Sequence, residues 1–142
     1  MTCEPSDAVM LQSDYGDLLS DTAADLLGEH TYGVCEYVDV HRLDGDLTFG
    51  DAGAEPLVYH GHCHQKATGR DHHAVGVLRR AGYEAEHYSM SQAIGQLLFE
   101  RVDGTAGAPV APGASCRTQL GDREGGREPD HPVERLADAL DG

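Results

Sequence analysis

The chain reads as a small α/β domain, mostly helical, with a few short parallel strands. Three observations predict this class. Apolar residues recur at helical spacing through much of the chain. Residues 56–60 and 108–112 are short apolar segments of strand type. Each runs into a loop dense in His, Cys or Gly before the next helix, and strands that alternate with helices in this way build α/β layers.

Glu4-Pro5-Ser6-Asp7 predicts a loop feeding a helix cap. A helix is expected over residues 8–19, interrupted near Gly16. Ser20 or Asp21 caps a second, through Leu27. A third is expected over 31–43, with Val34, Cys35 and Val38 on one face. Residues 44–55, rich in Asp and Gly, predict an acidic surface loop, and 56–60 a strand. Asp71 is expected to cap a helix on which Ala74, Val75, Leu78 and Ala81 share a face. The longest helix is expected over 84–102, where Met90, Ile94, Leu97, Leu98 and Val102 keep helical spacing. The segment 108–112 is a second strand, limited by its prolines, and 115–120 a helical turn. Residues 121–130 read as a flexible charged linker. Pro132 suits the first position of a final helix with an apolar stripe of Val133, Leu136, Ala137 and Leu140.

At 142 residues the chain is one domain's worth, and 39% hydrophobic residues suffice for one modest core. No apolar run approaches the roughly 18 residues of a membrane-spanning helix. The first residues carry neither a basic region nor an apolar stretch, so no secretory signal is expected and the cytoplasm is the default. Twenty-five acids face ten bases, a formal charge of -15, and Lys66 is the only lysine. Phosphate-tracking surfaces need clustered cations, so nucleic-acid binding is excluded and adhesion to anionic lipid disfavoured. Such a composition resembles proteins of salt-accumulating halophiles, in which salt screens the self-repulsion.

The four cysteines are Cys3, Cys35, Cys63 and Cys116, and no two have Cys-x-x-Cys spacing. Cys35 falls on an apolar helix face and reads as core. The densest chemical signal is Tyr59-His60-Gly61-His62-Cys63-His64-Gln65-Lys66. If extended, His60, His62 and His64 project to one face and Cys63 to the other. Imidazole and thiolate are ligands for zinc, iron and copper. A polar loop whose histidines cap a helix is the competing reading. The second signal is Cys116, placed after a strand and near a helix start, where a thiol serves as ligand or nucleophile or is simply buried. Asp44, Asp46, Thr48 and Glu55 mimic a calcium loop, but Phe49 stands where that loop needs Gly. The glycines of residues 104–113 lack the Lys of a phosphate loop.

Several blocks, in order, resemble the cysteine-rich CCG domain of iron-sulfur oxidoreductases. They are Glu4-Pro5-Ser6, Ser13-Asp14-Tyr15 with Leu18-Leu19, His60-x-x-Cys63-His64, Gly82-Tyr83-Glu84-Ala85-Glu86-His87-Tyr88, Ser91-Gln92-Ala93-Ile94-Gly95, Ser115-Cys116-Arg117-x-Gln119 and His131-Pro132-Val133-Glu134. The family includes the C subunit of anaerobic glycerol-3-phosphate dehydrogenase, the glycolate oxidase iron-sulfur subunit, and FAD-linked oxidases with a fused iron-sulfur tail. The resemblance covers nearly the whole of residues 1–142 as a partial CCG domain.

What the resemblance implies is a 4Fe-4S electron-transfer module, with Cys63 and Cys116 among the ligands of an iron-sulfur cluster. Its partners would be a flavoprotein domain or subunit carrying FAD and an acceptor such as a quinone. The substrate, oxidised elsewhere, would be a 2-hydroxy acid or of glycerol-3-phosphate type. The module would be cytoplasmic and reach the inner face of a membrane only through partners. This sequence departs from the family at three places. It has no Cys-Cys-Gly, Gly113 stands where the first Cys of a Cys-x-x-Cys belongs, and Asp7 stands where many relatives carry Cys. It therefore reads as a C-terminal piece with an internal deletion and weakened or lost cluster binding, not catalytically complete. Two alternatives stay open: a mononuclear zinc site in His60, His62, Cys63 and His64, and a non-catalytic remnant packed on a partner.

Overall fold

Leu57, Val58 and Tyr59 are three bulky residues in a row, and all are buried, at 1%, 3% and 0% exposure. A strand buried on both faces must be covered on both sides. In the computed structural model, which describes residues 1–50, 56–87, 107–122 and 126–141, these residues form β1 (Leu57–Tyr59), the centre of a parallel sheet. β2 (Ala85–His87) pairs with one edge of β1 and β3 (Ala108–Val110) with the other. Leu57 lies opposite Ala85 and Ala108, and Tyr59 opposite His87 and Val110. The chain is thus a small α/β domain, as its sequence predicts.

Seven α-helices are present among the described residues. They are α1 (Pro5–Ser13), α2 (Asp21–Glu29), α3 (Val34–Val40), α4 (Cys63–Ala67), α5 (His72–Arg80), α6 (Ala114–Gly121) and α7 (Pro132–Asp141). The break expected near Gly16 is a 3-10 turn over Asp14–Asp17 that ends α1 early. Helix α5 buries Ala74, Val75, Val77 and Leu78. Cys35 of α3 and Ala139 of α7 join its face, with Tyr83, Ala85 and Val110, in one core. Each fully buried Leu-sized side chain stabilises by about 1.5–3 kcal/mol, so Leu57, Leu78 and Leu120, all at 1% exposure or less, anchor the fold.

Polar contacts join α3 to α5. Arg80 bonds Asp39 at 2.6 Å and also pairs with Asp44, His73 lies 2.7 Å from Asp39, and Arg70 pairs with Glu36. Burial acts to raise the Asp39 pKa, but the His73 and Arg80 bonds outweigh it and hold the carboxyl below its usual value.

Four expectations need correction. Residues 84–87 do not open a long helix, because Ala85–His87 is a strand. Tyr83 and Ala85 are buried while Glu84 and Glu86 are exposed, which is strand alternation and not a helical stripe. Gly82, at φ 96°, supplies the left-handed turn that lets the chain leave α5 and enter β2. The rest of that expected helix lies outside the described residues, as do 51–55 and 123–125. In α7 Pro132 and Ala139 are buried and Val133 and Leu136 pack on the core, but Ala137 and Leu140 of the expected stripe are exposed, Leu140 at 45%. Asp44 is buried against Arg80 and does not belong to a solvated acidic loop. Asp71 precedes α5 but makes no side-chain cap there. Among the described residues no helix is long and apolar enough to cross a membrane.

Candidate functional site at the carboxyl ends of the strands

From β1 the chain passes through α4 and α5 to β2 on one flank. From β3 it departs the other way, through α6, and returns to pair Asp130 beside Val110 on the outer flank. Connections that leave neighbouring parallel strands in opposite directions open a crevice at their carboxyl ends, where α/β sheets bind ligands. The last contact before the two loops part is the His60 N–H donating to the Val110 carbonyl at 2.8 Å.

Each loop runs straight into a helix. His60-Gly61-His62 leads to Cys63 at the start of α4, and Ala111-Pro112-Gly113 leads to Ala114 at the start of α6. The start of α1 meets them, because Thr2 is held to the neighbourhood of α3 by Thr2 N–H to Tyr32 O at 2.9 Å and Val34 N–H to Thr2 O at 3.0 Å. Glu4 then spans two helix starts. Its Oε1 accepts from the Ser6 N–H at 3.5 Å and the Ser6 hydroxyl at 3.3 Å, and its Oε2 accepts from the Ala114 N–H at 3.0 Å. Helix N-termini leave such N–H groups without internal partners, so one carboxylate serves both.

His62 completes the junction and is 4% exposed. Its Nδ1 accepts from the His64 N–H at 3.3 Å, and its Nε2 lies 3.3 Å from the Ser6 hydroxyl. A neutral imidazole whose Nδ1 accepts carries its proton on Nε2, so Nε2–H donates to Ser6 and Ser6 donates to Glu4. Burial, and then the charge of His64, lower the His62 pKa, with Glu4 opposing; the neutral form is favoured. In this network both ring nitrogens are engaged. The ring also fills the space above Gly113, where a Cβ would sit 2.6 Å from His62 Cδ2.

Cys63 is exposed on the first turn of α4 and Cys116 half-buried on the first turn of α6. Burial raises the Cys116 pKa, the Cys63 charge raises it further, and Ser115 and Lys66 pull it down. Lys66 follows Cys63 by three residues on α4 and so shares its face. Its own pKa is lowered by burial, against Asp71, Cys116 and Cys63. Cys63 and Cys116 thus stand on two helix starts whose caps, His62 and Gly113, are in contact, and Lys66 lies on the Cys63 face of α4.

Of the other predicted donors, His62 and His64 keep their rings 5.2 Å apart, edge to face. β1 ends at Tyr59 and a helix begins at Cys63, so the expected strand alternation of His60, His62 and His64 does not occur. His64 is exposed. His60 is half-buried, with its Nδ1 buried and unpartnered, and burial and then Lys66 and His62 lower its pKa to about 4. Cys35 lies apart in the core, where burial and then Cys3 and Asp39 push its thiol up to about 12. Among the described residues no three His, Cys, Asp or Glu side chains gather to hold a metal ion. Reading the residues alone gave no role to Lys66, although its being the only lysine was visible. The Glu4 bridge to α6 carried no local signal at all, since it spans 110 positions.

No protein-family model matches the chain, and comparisons with characterised proteins and with solved structures find no relative.

Proposed function

We propose that the chain is a cysteine-rich electron-transfer module of the CCG type with a reduced thiolate site. It would work beside a flavoprotein that oxidises a 2-hydroxy acid or a glycerol-3-phosphate type substrate and passes electrons on to a carrier such as a quinone. One observation carries the reading. Three of the blocks that bear the resemblance, Glu4-Pro5-Ser6, His60-x-x-Cys63-His64 and Ser115-Cys116-Arg117-x-Gln119, are far apart in sequence, yet Glu4 and Ser6 reach His62, inside the second, and Ala114, next to the third, at one end of the sheet. Unrelated short motifs have no reason to converge at the place where α/β folds carry function.

The donors do not fit a complete iron-sulfur cage. A cluster usually takes four thiolates, and the crevice offers Cys63 and Cys116 only. At Gly113 the His62 ring occupies the place of a side chain. FAD and the substrate chemistry belong to a partner in this reading, and its setting is the cytoplasm. The zinc alternative is less well supported, since His62 has no free lone pair in its network.

Anaerobic reconstitution with iron and sulfide tests the reading. The wild-type chain should retain iron at less than a full cluster, and Cys63→Ser and Cys116→Ser should each lose it. Iron-free wild type, or retention indifferent to both substitutions, overturns the proposal.

A further inference from the structure

Helix α2 lies against α1 by one side only. A Cβ at Gly28 would meet the Gln12 carbonyl oxygen at 3.0 Å, so the two backbones approach closely there. Ala24, Leu27 and Gly28 are half-buried on that side. None of the nine residues of α2 is buried, and Thr22, Ala23 and Leu26, away from α1, are exposed. Thr22 and Ala23 stand four and three positions before Leu26, so the three share one outward face. Leu26 is 61% exposed, and Leu18, just ahead of Ser20 at the start of α2, is 76% exposed. A surface helix turns its apolar stripe to the core; α2 carries a second one toward solvent.

Charge indicates what covers that face. Asp21, Asp25 and Glu29 stand four apart in a row along its flank. Like charges at this spacing repel and destabilise a helix. No lysine or arginine occurs before Arg42, so neither α1 nor α2 supplies one to oppose the row. The complement is a helix with apolar side chains flanked by lysines or arginines four apart, as in helix pairs that match charged flanks. A second copy of this chain does not qualify, because it would set another acidic row, and a net charge of -15, against the first. The nine residues of α2 span about 14 Å, which suits one helix and not a broad interface.

We propose that the outward face of α2, centred on Leu26 and extended by Leu18, docks a basic amphipathic helix of a partner protein. Leu26 packs among the partner's apolar side chains, and Asp21, Asp25 and Glu29 face its cationic flank. The surface is separate from the thiol crevice, since α2 meets α1 at Gln12 whereas the crevice takes the Glu4–Ser6 end. The proposal goes beyond the electron-transfer reading and does not depend on it.

The probe is a fluorescein-labelled synthetic helix of about 18 residues, long enough to fold, with leucine and alanine on one face and lysines four apart beside it. The full-length chain would be titrated into it in ~0.05 M KCl, where screening is weak, and binding read by anisotropy. Saturable binding is expected, with amide shifts concentrated between Leu18 and Glu29. Leu26→Ser should weaken it at least about fivefold, as for a central contact residue. Asp25→Lys should weaken it about tenfold by setting like charges together. Glu84→Lys, the same charge change at an exposed residue elsewhere, should alter it less than about twofold. Leu26 and Asp25 are exposed, so their variants should keep the wild-type melting curve. A peptide of the same composition with its stripe scrambled should bind at least about tenfold more weakly. Equal binding of the scrambled peptide, or equal weakening by Glu84→Lys and Asp25→Lys, reduces the effect to net charge and overturns the proposal. So does an absence of binding, or amide shifts confined to another face. Self-association of the chain that Leu26→Ser abolishes would name a second copy as the occupant and overturn it as well.

Discussion

Glu4 accepts the Ala114 backbone N–H at 3.0 Å while it caps its own helix through Ser6, so one carboxylate holds the starts of α1 and α6 together. Losing a side-chain cap costs about 1 kcal/mol per helix. Glu4→Ala removes two caps at once and should cost about 2 kcal/mol, lowering Tm by roughly 5–10 °C for a domain of this size. Glu4→Gln keeps the oxygen that faces one helix and should lose about half as much. Thermal melts of the two variants beside wild type decide it. Equal, negligible losses would mean that the bridge contributes nothing.

Gly113 is required by its neighbour and not by its own backbone. A methyl group there would meet Cδ2 of His62 at 2.6 Å, and that ring is pinned at both nitrogens. Gly113→Ala should destabilise by about 1–3 kcal/mol, the range of overpacking. Gly113→Cys should do the same, so adding the thiol that the resemblance expects at this position disrupts the junction instead of completing a cage. Residues in contact are not additive. The double variant Gly113→Ala/His62→Ala should therefore lose less than the sum of its single changes, in denaturant unfolding curves; strict additivity would remove the steric explanation.

How far the site was readable in the sequence follows from the range of each interaction. The strand at Leu57–Tyr59 and the core place of Cys35 depend on local patterns, and both are where those patterns put them; Ser20 stands at the start of α2 but, like Asp71 before α5, makes no side-chain cap. Residues 84–87 fall to a helical pattern because Tyr83 and Ala85, two apart, fit the edge of a helical stripe as easily as a strand, and the strong helical spacing continues downstream. Asp44 looked like loop chemistry because its partner, Arg80, lies 36 residues away. The meeting of the α4 and α6 starts, which carry Cys63 and Cys116, is set by strand order, which no local pattern encodes.

Thiol reactivity should follow burial and charge. Cys3 and Cys63 are exposed, Cys116 is half-buried with its pKa raised by burial and then by Cys63, and Cys35 is pushed up to about 12. Thiolate is the reactive form. Alkylation mapped by mass spectrometry should label Cys3 and Cys63 first, Cys116 later and Cys35 only on unfolding. Cys63→Ser removes a charge beside Cys116 and should speed its alkylation. An unchanged Cys116 rate would show that the two thiols do not feel one another.

Acid should loosen the junction before it titrates the carboxylates. His60 moves from an ordinary 6.5 to about 4 on folding, through burial first and then Lys66 and His62. Burial also lowers His62 and His131. A histidine whose folded pKa is depressed is stabilising while neutral. That contribution is fully present above pH 6.5 and is lost as pH falls from 6.5 toward 4. The Asp39 contribution has the same sign but a lower window, below its ordinary 3.8. Urea unfolding across the first window should show a steady decline. His60→Phe should flatten it, because the buried Nδ1 gives up no bond there. A stability constant from pH 6.5 to 4 would contradict the assignment.

Salt acts on this protein in two opposing ways. Screening weakens the pairs of Arg80 with Asp39 and Asp44 and of Arg70 with Glu36, and it also relieves the repulsion behind a net charge of -15. The pairs are partly buried: Asp44 is 2% and Glu36 4% exposed at the side chain, so salt reaches them poorly. The excess acids, in contrast, outnumber the bases by 25 to 10 across the chain. Between about 0.01 M and 1 M salt the screening length falls from ~30 Å to ~3 Å, enough to silence repulsion across the whole domain. Relief of repulsion should therefore win, and Tm should climb with KCl over that range. A melting point that stays level or falls would mean that the paired charges, and not the surplus, govern stability.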